Sequence, residues 1–373
     1  MRVLFIGMGS FSEQKGGLNR YISDMKSALA TRIKDYRFLF ISDCQPKANE
    51  VTLSRGLVKR LVTSRRVIKN TLRDLKPDVI NIHFALTAFP AIDLLSSYKI
   101  VINFQGPWHQ EGLIEEAGII GRIKCILKKS IEKIVYSKAD HFIVLSKEFS
   151  DILQSTFHVS KENISIVPPI VDLEKFKIIE SVRENKAKTN HFKFVAVRRL
   201  VKRTGVDLLL EAMALLKNRL IGSGITISLD IVGVGPLYER LDVMIDELEL
   251  HDCVRLCGFI TDEELVQKYN EANYSIMPTV ALEGFGLSSI ESFACGTPVI
   301  GTPSSANNEA IGEFCSSLIA SEITPESLSD KLFDALSMEF SVDNCREYAR
   351  SNFSAQVFSS RVYPIMESLV DQS

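Results

Sequence analysis

The chain has 373 residues, is 46% hydrophobic and 24% charged, and carries a formal net charge of −2. That composition excludes a disordered or fibrous chain, and at about 150 residues per domain the length predicts two domains, each with its own core. The charge is uneven: residues 1–172 hold 25 Lys and Arg against 17 Asp and Glu, the remainder 19 against 29, so the two halves are expected to meet different partners.

The first predicted strand is Arg2–Ile6, and its apolar run, Val3–Ile6, is too short to serve as the core of a signal peptide. No later stretch reaches the roughly 20 apolar residues of a membrane span. The expected location is cytoplasmic. The seven cysteines are odd in number and scattered, unlike a disulfide framework. Cys253 and Cys257 lie close together but no second Cys or His pair follows at zinc spacing, so they read as small thiols beside a strand.

The first strand runs into Gly7-Met8-Gly9-Ser10-Phe11-Ser12. This is an incomplete dinucleotide fingerprint, because the third glycine is Ser12; Asp43, after the strand Phe38–Ile41, could mimic its ribose-binding acid. Gly16-Gly17 then opens the helix Leu18–Leu29. Two readings stand for it: a close backbone approach to an anion at a helix N-terminus, or a plain turn.

Residues 55–76 interleave basic side chains with Leu57, Leu61, Val62, Ile68, Leu72 and Leu75 at helical spacing, and Arg122–Lys138 repeats the pattern. Such faces either cover a core with a solvated basic side or meet anionic lipid. No aromatic interleaving or motif points to nucleic acid. Strands follow at Val79–His83, Ile100–Phe104 and His141–Leu145.

Pro168-Pro169-Ile170-Val171-Asp172 marks the predicted boundary, giving domains 1–172 and 173–354; the polar stretch Glu180–Asn190 follows it. The second half restarts with strands Phe192–Val197, Ile225–Val232, Tyr274–Met277 and Pro298–Gly301, separated by helices such as Leu208–Leu216 and Leu237–Leu248. Nearly continuous apolar strands alternating with amphipathic helices predict α/β architecture, two doubly wound domains with a cleft between them. Gly233-Val234-Gly235 ends one strand and is weak evidence for a ligand.

The most informative segment is Met277 through Glu291. Glu283 and Glu291 are eight positions apart, which on one continuous helix would not share a face. Glu283 is therefore expected on a loop and Glu291 inside the helix that follows. The helix N-terminus near Leu287 would point amides at a phosphate, and each carboxylate could accept two hydrogen bonds from a vicinal diol. Upstream, Arg198-Arg199-Leu200-Val201-Lys202-Arg203 ends a strand and reads either as a diphosphate clamp or as a solvated basic loop.

With these motifs in place, the chain resembles retaining glycosyltransferases of the GT-B fold, glycosyltransferase family 4 (group 1), over essentially its whole length. The family's Glu-x7-Glu matches Glu283 to Glu291 within EGFGLSSIESFACGTPVIGTP, and its Gly-Gly loop matches Gly16-Gly17. Its interdomain motif resembles Pro168 through Phe176, with Ile170 where glycine is usual. The resemblance implies two Rossmann-like domains facing across a cleft, with a C-terminal helix at about 355–373 packing back on the first.

It also implies roles. Glu291 would hold the ribose and Glu283 the transferred sugar. Gly284, Phe285, Gly286 and Leu287 would meet sugar and phosphates through backbone amides. Gly258, Phe259 and Ile260 would pack on the base, Gly16 and Gly17 would approach the donor, and Arg199 would contact the diphosphate. The lysine expected five positions after that arginine is Thr204, leaving Arg203 as a substitute. The family's first-domain His-Gly is Gln105-Gly106 here; Gln105 can bind a hydroxyl but cannot act as a base, so His83, Trp108 and His109 join it as acceptor-side candidates.

The implied reaction is a retaining transfer from a UDP- or GDP-linked sugar to a glycan or lipid-linked acceptor in polysaccharide or glycoconjugate synthesis. It would use no metal and no further cofactor, and it could take place on the inner face of a membrane. The alternatives are an NAD-dependent oxidoreductase, a non-catalytic sugar-nucleotide-binding protein, and an epimerase or phosphorylase on the same fold.

Overall fold

The computed structural model describes residues 1–9, 16–115, 118–184 and 190–371. The chain forms two compact units, one of Met1–Ile170 with Ala355–Ser373 and one of Val171–Ser354, a division two residues before the expected one. Ser10, Phe11 and Ser12, and residues 185–189 of the polar stretch after the boundary, lie outside the described residues.

The first unit is a parallel sheet in the order β3-β2-β1-β4-β5-β6-β7. Its strands are β1 Arg2–Ile6, β2 Asp35–Ile41, β3 Glu50–Leu53, β4 Val79–Ile82, β5 Lys99–Phe104, β6 His141–Val144 and β7 Ile164–Ile166. The central strands are covered on both faces, which is why they read as unbroken apolar runs: Val3, Leu4, Phe5 and Ile6 are all buried. The two outermost strands, β3 and β7, are absent from the sequence prediction. Each is short and only half-buried, so neither carries an apolar run.

The helices of this unit include α1 Gly17–Leu29, α2 Leu57–Leu75, α3 Trp108–Glu115, α4 Gly118–Tyr136 and α5 Lys147–Phe157. In the basic helix α2, Ile68, Leu72 and Leu75 enter the core, while Val62 is exposed.

The second unit is a parallel sheet in the order β10-β9-β8-β11-β12. Its strands are β8 His191–Val197, β9 Thr226–Val232, β10 Val254–Gly258, β11 Tyr274–Met277 and β12 Val299–Gly301. Helices α6 Val206–Arg219, α7 Tyr238–Glu247, α8 Asp262–Glu271, α9 Leu287–Ala294, α10 Pro325–Ala335 and α11 Val342–Phe353 cover it. The last helix, α12 Ala355–Asp371, returns to the first unit, where Phe358 meets the edge of the Tyr21 ring on α1 at 5.9 Å between centroids.

In each sheet the winding reverses beside its first strand, at β1/β4 and at β8/β11. In open α/β sheets, the carboxyl ends at such a reversal are where ligands bind.

Candidate active site at the strand ends

At the second reversal, β8 leads to Arg198 and β11 leads to Met277-Pro278-Thr279. Arg198 extends the ladder one residue, its amide bonding to Val232 O at 2.9 Å, and the strand alternation turns its side chain inward while Arg199 faces solvent. The Arg198 guanidinium donates to Met277 Sδ at 3.3 Å, Thr279 Oγ1 at 3.1 Å and Glu283 Oε2 at 2.6 Å. Its side chain is 5% exposed and that of Glu283 17%. Burial pushes the Glu283 carboxyl up, but the charge and hydrogen bond of Arg198 and the charge of Arg203 outweigh it, holding the group below the ordinary carboxylate range.

The loop carrying Glu283 is pinned from the other side. Arg203 O accepts from the amides of Val280 and Ala281, and Arg203 Nη1 donates to Leu282 O at 2.8 Å. Leu282 sits at φ +50°, a region non-glycine residues seldom occupy, so the direction of Glu283 is held by this anchoring. Glu283 thus lies on the loop and Glu291 within α9, as their spacing predicts.

Gly286 caps α9 with no side-chain hydrogen bond, at φ +81°; a Cβ there would stand 2.6 Å from Met277 Cε. The helix therefore begins with amides that no capping side chain covers, directly after Gly284-Phe285-Gly286. Phe285 is buried against Phe353, so its side chain serves the core. Glu291 is buried and accepts from Tyr269 OH at 3.1 Å, a partner on α8 that sequence spacing did not identify.

The flanking candidates separate into two groups. Arg199 is exposed, and among the described residues its side chain makes no hydrogen bond or ion pair. Thr204 is buried and donates its hydroxyl to Arg199 O and Val201 O, so it braces the turn and does not reach outward as a lysine would. Gly258 ends β10, and Phe259 beside it is 62% exposed; Ile260 is half-buried before the Thr261 cap of α8. Gly233 is explained by packing: a Cβ there would meet Arg198 O at 1.8 Å.

In the first unit, Gly16 caps α1 and Gly17 begins it. His83 follows β4 at the reversal, its amide bonded to Ile6 O. Gln105 Nε2 donates to His83 Nδ1 at 3.1 Å, which leaves the proton on Nε2. Beneath them Tyr21 OH donates to Asn103 Oδ1 and Asn103 Nδ2 to Asn81 Oδ1, a buried polar chain inside strands the sequence shows as apolar. His109 is buried and donates from Nδ1 to Glu132 Oε2 at 2.6 Å, while Glu132 Oε1 accepts from the Trp108 amide. This pair ties α3 to α4. The Trp108 ring packs against Phe84.

Burial pushes the His83 imidazole down to about 3. The unfolded chain takes up this proton near pH 6.5 and the folded chain does not, so the stability it supplies is present above pH 6.5 and lost as pH falls toward 3. Below pH 6.5, His83 should steepen the fall in stability by up to about 1.4 kcal/mol per pH unit. Urea melts across pH should show this slope in the wild type and its loss in His83→Asn; an unchanged slope would assign it to other groups.

Two family models divide the chain between them. Glycosyltransferase Family 4 matches residues 15–175, and Glycosyl transferases group 1 matches residues 177–352. The chain thus joins a family 4 glycosyltransferase N-terminal domain to a group 1 glycosyltransferase domain. It is 24% identical over 245 residues to the putative colanic acid biosynthesis glycosyltransferase WcaL of Escherichia coli K12, across 63% of this chain and 58% of WcaL. The chain thus spans little more than half the length of that relative.

Among solved structures, sucrose-phosphate synthase of Thermosynechococcus elongatus superimposes with a TM-score of 0.81 at 17% identity over the whole of both chains. Anabaena Alr3699/HepE in complex with UDP-glucose gives 0.74 at 14%, covering 99% of this chain and 100% of that one. These likenesses establish the GT-B fold.

Proposed function

We propose that the protein is a retaining, metal-independent glycosyltransferase that moves a sugar from a nucleoside-diphosphate sugar to a glycan or lipid-linked acceptor in polysaccharide or glycoconjugate synthesis. The anomeric carbon would pass from the phosphate oxygen of the donor to a hydroxyl oxygen of the acceptor, and the nucleoside diphosphate would leave. The observation that carries this reading is the pair of anchored carboxylates, Glu283 and Glu291, placed before and within a helix whose N-terminus no side chain caps.

In this reading Glu283 accepts hydrogen bonds from the transferred sugar and Glu291 from the ribose. The α9 amides and the exposed Arg199 meet the diphosphate and stabilise its departure, a task a metal performs elsewhere. Arg203 positions Glu283 through Leu282. The exposed ring of Phe259, with Gly258 and Ile260, packs on the base. Gln105 offers its amide oxygen to a hydroxyl, because its nitrogen is committed to His83. The UDP-glucose held by the Anabaena relative favours a UDP-linked donor, with GDP the second choice. The likeness to WcaL, a putative colanic acid biosynthesis glycosyltransferase, favours a polysaccharide pathway. The enzyme would work in the cytoplasm, at the inner membrane face.

The test is a thermal-shift series with UDP, GDP, ADP and NAD. A nucleotide at 100 times its dissociation constant should stabilise the fold by about 2.7 kcal/mol. A shift with one nucleoside diphosphate, lost in Arg199→Ala, is the expected result. A shift with NAD alone would overturn the reading.

A further inference from the structure

Helices α2 and α4 look alike in sequence, but the structure exposes many more of the apolar residues of α4. In α2, Ile68, Leu72 and Leu75 enter the core and Val62 is exposed. In α4 the inward stripe is narrow and made of Gly121, Cys125, Glu132 and Val135. At about 3.6 residues per turn, Ile119, Ile120, Ile123, Ile126, Leu127 and Ile134 fall on the side turned away from that stripe. They are exposed; Ile119, Ile120 and Ile126 stand at 77%, 72% and 65%. A contiguous apolar face of this kind on a protein surface marks a partner.

The charges around the face say which partner. Arg122, Lys129 and Lys133 border it on one side and Lys124 on the other, while Lys128 is half-buried with its ammonium over the Trp108 ring. No acidic residue of α4 lies on this face, its only carboxylate being the buried Glu132. A second copy docked by a two-fold axis would set the same cationic rims against each other. An apolar face between two basic rims suits an anionic lipid surface, with the isoleucines entering the headgroup boundary and the lysines meeting the phosphates.

We infer that the outer face of α4 seats the protein on anionic phospholipid. The inference deepens the membrane part of the proposed function and is independent of its donor chemistry. Glu132 acts as the fastening: by bonding His109 and the Trp108 amide it holds α4 to α3 while the outer side stays apolar.

The full chain is sedimented with vesicles of phosphatidylcholine alone and of phosphatidylcholine mixed equally with phosphatidylglycerol. The expected result is at least about tenfold stronger partitioning to the anionic vesicles, weakened by high salt. Two double variants, Ile123→Glu with Leu127→Glu and Lys129→Glu with Lys133→Glu, should each lose it while keeping the wild-type circular dichroism melt. Nucleotide shifts on the same samples report the donor site separately. Three outcomes would overturn the inference: no binding at low salt, equal binding to neutral vesicles, or binding unchanged in both variants. A lipid-free dimer in analytical ultracentrifugation that Ile123→Glu with Leu127→Glu splits would assign the face to a second copy instead.

Discussion

Replacing Glu283 with glutamine should lower kcat/KM for sugar transfer about 100- to 1,000-fold, the scale on which single preorganised polar contacts to a transition state are lost. Glutamine keeps the shape of the side chain but not its charge, and it exchanges one acceptor oxygen for a donor nitrogen. Steady-state rates with the donor identified by thermal shift measure the effect. Wild-type transfer by the folded variant would remove Glu283 from the reaction. Both changes remove the counter-charge of the buried Arg198, but glutamine keeps an oxygen to accept its hydrogen bond; alanine is the poorer probe because it leaves the guanidinium with no acceptor there and would destabilise the unit carrying the donor site further. Loss of rate and loss of fold would then be confounded.

Replacing Arg198 with methionine should destabilise the protein by about 3–5 kcal/mol at pH 8, the range for breaking a buried ion pair from one side. Glu283 would be left buried with its main counter-charge gone. The pH dependence identifies the cause. In the wild type, Arg198 holds the folded-state pKa of Glu283 below its unfolded value, so the stability from this group is present above about pH 4.3 and lost as pH falls through the folded pKa. In the variant, burial is opposed only by the charge of Arg203 and the Gly284 amide, so the folded-state pKa rises. The deficit should be full at alkaline pH and shrink on acidification. Urea melts at pH 8 and pH 5 compare the two chains. A deficit equal at both would show that Arg198 stabilises through packing alone.

The sequence made the architecture legible because parallel strands covered on both faces leave unbroken apolar runs, and because their glycine-bearing ends mark where helices begin. It placed Glu283 on a loop and Glu291 in a helix from spacing alone. It did not separate Arg198 from Arg199. Both belong to one basic run, and only strand alternation, continued one residue past β8, sends the first inward and leaves the second outside. Nor did it reveal the partners of the carboxylates and histidines. Tyr269 meets Glu291 across 22 positions and His109 meets Glu132 across 23, distances over which no local pattern acts. Helices α2 and α4 show the same limit. Their compositions are nearly interchangeable, and what they pack against decides which apolar residues face outward.

Helix α12 sets an order of events for the nascent chain. The first unit begins at Met1 but closes with residues 355–373, after the whole second unit has been made. A ribosome that has released residue 354 has delivered everything the second unit needs, while Tyr21 on α1 still lacks Phe358 as its ring partner. The half made first is therefore finished last, and the interval between is set by the time taken to translate the half made second.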